Sequence, residues 1–284
     1  MEDINYFTIS DKYENDSFNK KRELILKEII NKKINNNYYN DDRWIKLRYS
    51  LIEYLKILCK KNNIVNFDFN CISCENKAGR GNHYDFSLTI NEIIHNVEFK
   101  FNTKSVNETP QFVSPMNPSK FLDKNFEEYF YDNYLPKIAE HGRLKLPNRI
   151  EYLKQNKSNN VPCLKDFKNL YDTNTDFNNY CKKIDKESIK KFIENATIDK
   201  EKMSNYLLET QKDKVYMCYK DNIFYYDEVD KNLYQIKKLI DKDNTNFIFE
   251  TLGEMKIEIK LRFKNGCGLQ FPAFQIKRKI LKKK

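Results

Sequence analysis

Residues 83–102, HYDFSLTINEIIHNVEFKFN, alternate apolar and polar side chains in two runs joined by a short polar break. A period of two suits a half-buried strand rather than a helix, so this stretch predicts a β-hairpin. Tyr84, Phe86, Leu88 and Ile90 share one face of the first run, and His83, Asp85, Ser87 and Thr89 share the other. In the second run Val97, Phe99 and Phe101 oppose Glu98, Lys100 and Asn102. A turn centred on Asn91 and Glu92 pairs Ile90 with Ile93, Phe86 with Val97 and Asp85 with Glu98. Directly opposed Cβ atoms lie about 5 Å apart. Two carboxylates that close repel unless a cation stands between them. A divalent metal meets that need, and Lys100 lies one step along the same face. The pairing rests on turn length, because an odd-numbered turn slides Asp85 away from Glu98.

The 284 residues suffice for two average domains, or for one domain with a large insertion. An excess of 51 Lys and Arg over 41 Asp and Glu gives a net charge of +10, which favours an anionic partner, nucleic acid first. Abundant Lys, Asn and Ile also fit an AT-rich coding sequence of the kind found in large DNA viruses and intracellular parasites. The start, MEDINYFTIS, has no secretory pattern, and no apolar run reaches membrane-spanning length. Seven scattered cysteines read as reduced thiols, so an intracellular protein, cytoplasmic or nuclear, is expected.

Residues 1–19 read as a mobile lead-in, followed by helical spacing from Phe18 to Ile34 at Leu24, Ile25, Glu28 and Ile29. Asp41 or Asp42 can cap a second helix with the apolar stripe Trp44, Leu47, Leu51, Leu55 and Leu58, and Glu53 lies on its polar side. Ile64 to Phe69 predicts a strand, and CISCENKAGRGN a polar connection. Pro110, Pro115 and Pro118 exclude a long helix after the hairpin. Mostly helical patterning runs from Ser119 to about Gln211, with Ser188 and Asp199 near helix starts. Val215–Tyr219 and Ile223–Val229 flank Asp221-Asn222 as a second hairpin. NFIFET, MKIEIKLRF and LQFPAFQI form a final β-rich block before the basic end KRKILKKK. The expected fold class is α/β, with a mixed α+β arrangement as the alternative.

An acidic residue at one strand, a short turn and Glu-x-Lys on the next resemble the PD-(D/E)xK nuclease superfamily, the restriction-endonuclease-like enzymes. Asp85 matches the family's Asp, and Glu98-Phe99-Lys100 its (D/E)-x-K. The preceding helix resembles the family's first helix, where Glu53 is the best match for an additional acid. Tyr84 stands where a Pro is frequent, and Gln111 where many members carry a helical Gln, although Pro110 argues against a helix there. The resemblance implies a restriction-endonuclease-like core sheet flanked by helices, with a helical insertion and a C-terminal β-rich block. The segments are then 1–42 as mobile segment and helix, 43–118 as nuclease core, 119–211 as helical insertion, 212–276 as a β-rich part packing on the core, and 277–284 as basic tail.

It further implies a metal-dependent nuclease with Asp85, Glu98 and Lys100 as catalytic residues. Mg2+, with Mn2+ as alternative, is held by Asp85, Glu98 and the backbone carbonyl of Phe99, and activates the attacking water. Lys100 orients or activates that water and stabilises developing negative charge. DNA is the expected polymer, with RNA as an alternative; no membrane partner is expected, and a homodimer is compatible. Lys77, Arg80, Arg262 and Lys264 are candidate nucleic-acid contacts, as is the tail from Lys277. The competing hypotheses are a nucleic-acid-binding protein of the same fold without hydrolysis, and an interaction scaffold built on the helical middle.

Three further patterns carry less. Glu258-Ile259-Lys260 repeats Glu-x-Lys on a strand, but the strand before it offers only Glu250, and Lys256 and Arg262 make the face basic. Cys71-x-x-Cys74, with Cys59 and His83, lacks the spacing of a four-ligand zinc site and reads as ordinary thiols. No phosphate-binding G-x-x-x-x-G-K-[ST] loop is present.

Overall fold

The computed structural model describes residues 3–8, 15–65, 67–77, 82–106, 117–253, 255–264 and 267–280. The chain is of mixed α/β class and divides into two units. The first comprises Met1–Thr109 and Gln211–Val229, and the second Pro110–Thr210 and Asp230–Lys284. Among the described residues no helix is long and apolar enough to cross a membrane.

The first unit holds helices α1 (Asn15–Ile30) and α2 (Asp42–Lys61) and strands β1 (Ile72–Asn76), β2 (Phe86–Ile90) and β3 (Ile93–Phe101). Strands β4 (Lys214–Lys220) and β5 (Ile223–Asp227) complete a five-stranded sheet in the order β1-β2-β3-β4-β5. All neighbours are antiparallel except β3 and β4, which run parallel. Asp41 caps α2 by accepting the Arg43 amide at 2.8 Å. The expected stripe of α2, Trp44 to Leu58, is buried, together with Tyr54. Two polar bonds fix α2 to the far strands: Ser50 Oγ accepts the Phe224 amide at 2.8 Å, and the Tyr54 hydroxyl donates to the Tyr216 carbonyl at 3.3 Å. Ile25, Leu26, Ile29 and Ile30 of α1 enter the same core, against inward residues such as Phe86, Val97 and Phe99.

Several boundaries differ from expectation. Residues 3–8 are no mobile lead-in, since Ile4 and Phe7 lie in the core of this unit. The first strand is not Ile64–Phe69 but Ile72–Asn76, inside the stretch read as a polar connection. There Ile72 and Cys74 point inward while Ser73 and Glu75 face out, so a buried cysteine supplied the second apolar position of the alternation. The amide side chain of Asn31 fixes that strand through bonds to both the N–H and the carbonyl of Cys74, each at 2.9 Å.

The second unit holds α3 (Phe126–Asn133), α4 (Leu135–Gly142), α5 (Arg149–Lys157), α6 (Lys165–Thr173), α7 (Thr175–Asn195) and α8 (Lys200–Thr210). Its sheet is an antiparallel meander of β6 (Ile236–Asp243), β7 (Asn246–Thr251), β8 (Met255–Phe263) and β9 (Pro272–Ile280). Phe126 packs on Phe130, Phe192 and Phe263, joining helices to sheet. Gly268 has φ +86°, and a Cβ there would lie 2.5 Å from the Phe130 ring, so the turn before β9 requires glycine. Ser188 lies inside α7 rather than at a helix start, with its hydroxyl turned back to the Asp185 carbonyl at 2.8 Å.

The division of the chain therefore corrects the expected segments. The 212–276 stretch is not one β-rich part packing on a 43–118 core. Its first hairpin, β4–β5, completes the sheet of the first unit, while β6–β9 share a unit with the helices of 119–210. The local alternation that reveals a strand does not reveal which sheet receives it.

Candidate active site

Asn91 (φ 47°) and Glu92 (φ 66°) form a two-residue turn with both central residues in the left-handed region. This turn sets the register expected from the sequence, Ile90 opposite Ile93 and Phe86 opposite Val97. Asp85 sits immediately before β2. Its amide donates to the Val97 carbonyl at 3.0 Å, and its Oδ2 accepts the Phe99 amide at 2.8 Å. The carboxylate is thereby held over β3 beside Glu98, and the two repel each other.

Glu98 and Lys100 alternate along β3 with the core residues Val97 and Phe99. The parallel pairing of β3 with β4 sets Asn96 opposite Lys214 and Glu98 opposite Tyr216. Lys214 thus enters the site, a residue the sequence reading did not include. Its ammonium donates to Glu98 Oε2 and, at 2.6 Å, to the His83 carbonyl. Lys100 makes an ion pair with the other oxygen, Glu98 Oε1. All three side chains are largely enclosed, with exposures of 15% for Glu98, 20% for Lys100 and 4% for Lys214.

The additional acid comes from α1. Glu23 is buried and interacts electrostatically with Asp85 and Lys100. Beside it the fully buried Arg22 donates through Nε to the Tyr6 carbonyl at 2.6 Å and covers the Phe101 ring at 3.5 Å. Glu53, the residue expected in this role, lies on the outer side of α2 in an exposed ion pair with Lys56 at 2.7 Å.

These surroundings separate the acids. Burial, reinforced by the charge of Asp85, pushes the Glu23 carboxyl up to about 8. Burial and the Glu98 charge push Asp85 up to about 6. Burial alone would also raise Glu98, but Lys100 and Lys214 outweigh it and bring Glu98 down to about 2. For Lys100, burial opposes the charge and Glu98 overcomes it, so its pKa lies above the ordinary lysine value. For Lys214 burial prevails over the attraction of Glu98, and its pKa is lowered. A pair of carboxyls driven apart in pKa beside fixed cations is a pattern found at reactive sites.

The remaining expected residues lie elsewhere. Lys77 is exposed and paired with Glu75 at 2.7 Å, while its amide donates to the Asp85 carbonyl at 2.8 Å. Arg80, Gln111 and residues 281–284 fall outside the described residues, whereas residues 277–280, expected to begin the basic tail, instead form the end of β9 paired with β8. Arg262 and Lys264 belong to the second unit, as does the Glu258-Ile259-Lys260 strand, β8. Cys59 and Cys74 are buried free thiols and Cys71 is an exposed one.

Among the described residues no three or more His, Cys, Asp and Glu side chains cluster as metal ligands. The donors on offer are two carboxylates, Asp85 and Glu98, which repel each other, with Asp85 fixed to the Phe99 amide. Hard oxygen donors of this number suit Mg2+, which takes one or two carboxylates and keeps much of its water. No protein-family model matches the chain, and neither curated proteins nor solved structures yield a match.

Proposed function

We propose that this chain is a divalent-metal-dependent nuclease that hydrolyses phosphodiester bonds, with DNA as its substrate. The observation that supports this reading is the convergence of Asp85, Glu98 and Lys100 on adjacent strands, with Glu23 facing them from α1. That set extends the resemblance of the hairpin to PD-(D/E)xK nucleases from three residues to four.

Asp85 and Glu98 would hold the ion, together with the Phe99 carbonyl, and Glu23 would act on it through water. A bound Mg2+ supplies charge neutralisation at the phosphate and an acidified water. Lys100, kept protonated by Glu98, serves as a fixed positive charge for the developing negative charge on phosphorus oxygens rather than as a base. The Asp85–Phe99 bond holds the acid rigidly against the strand that carries the other two residues. The net charge of +10 favours a polyanionic substrate.

One observation favours a second reading, a nucleic-acid-binding protein without hydrolysis. Both oxygens of Glu98 already accept from ammonium groups, so a metal ion would have to compete with two lysines for that carboxylate. Incubation of circular single- and double-stranded DNA with Mg2+ or EDTA separates the two. Mg2+-dependent nicking that disappears in Asp85→Ala and Lys100→Ala is expected for the nuclease. A salt-sensitive gel shift without nicking selects the binding protein.

A further inference from the structure

Glu98 is claimed twice, and its two claimants are not equivalent. Lys100 reaches Oε1 from two positions along the same strand, and Glu98 is its hydrogen-bond acceptor. Lys214 reaches Oε2 from the parallel strand β4 and is also bound to the His83 carbonyl at 2.6 Å. The distinction matters once a carboxylate oxygen must be surrendered. A buried ammonium stripped of its acceptors is strongly unfavourable. Lys214 can release Oε2 and remain hydrogen-bonded through His83, whereas Lys100 would lose its acceptor on Glu98.

We propose that Lys214 is the resident cation of this site, occupying Glu98 Oε2 in place of a divalent ion and yielding that oxygen when the ion binds. Lys214 is then a positioning residue that sets the affinity of the site for metal. The inference rests on the nuclease reading above and specifies how its site is kept in order without metal.

The test is direct Mn2+ binding by electron paramagnetic resonance on the full chain, which needs no turnover. Lys214→Met is expected to tighten Mn2+ binding about tenfold, since a positive charge competing for the same oxygen is removed. Lys214→Arg, which keeps the charge, is expected to stay near the wild-type value. Unchanged or weaker binding by Lys214→Met overturns the inference while leaving the nuclease reading intact, provided the wild type binds Mn2+. Absence of binding in wild type and both variants removes the inference together with that reading. Should Lys214→Met not fold, side-chain 15N NMR of lysines in the wild type decides. Saturating Mg2+ must shift the Lys214 ammonium signal, and an unmoved signal in a metal-loaded chain overturns the inference.

Discussion

The carboxylate of Asp85 accepts the backbone amide of Phe99 at 2.8 Å, so the first acid of the site also closes the hairpin that carries Glu98 and Lys100. The two roles separate by substitution. Asp85→Asn keeps an acceptor for the amide and should unfold in urea near the wild-type midpoint. Asp85→Ala leaves a part-buried N–H without its acceptor and should cost about 1–3 kcal/mol. Both should abolish Mg2+-dependent plasmid nicking.

Glu98 neutralises two enclosed lysines, and its removal exposes both. Glu98→Gln is expected to destabilise the chain by roughly 3–5 kcal/mol, because breaking a buried pair leaves uncompensated charge. Thermal unfolding measures the loss. Glu53→Gln, at an exposed ion pair on α2, should change stability by less than about 0.5 kcal/mol and leave nicking intact.

The raised acids fix a pH dependence. Asp85 ionises near 6 and Glu23 near 8, so Mn2+ affinity should climb with pH across that window and level off above it. Glu23→Gln should remove the upper part of the climb, as followed by titration at fixed ionic strength.

Glu23 has an opposite effect on stability. Its carboxyl ionises near 8 in the folded chain against an ordinary value of 4.5, so folding favours the protonated form. The stabilisation from that proton is complete below about 4.5 and is lost as pH rises through about 8. Glu23→Gln should therefore match the wild type in acid and exceed it at alkaline pH by on the order of 3 kcal/mol. Denaturant melts at the two extremes measure the difference.

The hairpin turn offers a fifth prediction. Glu92 holds φ 66°, a region costing a side-chain-bearing residue about 1 kcal/mol. Glu92→Gly should recover about that much in urea unfolding without moving the register of Asp85 against Glu98.

The hairpin was legible in the sequence because its information is local. The alternation of residues 84–101 assigns the faces, and Asn91-Glu92 sets the turn. Glu23 was legible only in part. The buried stripe of α1, Ile25, Leu26, Ile29 and Ile30, continues one turn earlier onto Arg22 and Glu23. Two charges on the inward side of a helix were the signal that pointed past Glu53. Lys214 had no local signal, since it opens an ordinary-looking strand whose partner is distant. The same holds for β1, where Cys74 served as an apolar residue, and for β4–β5, whose sheet is assigned only by long-range pairing.

Glu98 and its partner Lys214 lie 116 positions apart, with the second unit's helices between them in the chain. Synthesis from the N-terminus therefore delivers Glu23, Asp85, Glu98 and Lys100 well before Lys214. The nascent hairpin has its acids and one lysine while the strand that completes its sheet is still unmade. Such long-range closure is slow to form. The cation proposed to guard the site is thus the last of its residues to arrive, and a chain halted within the helices would carry the acids without it.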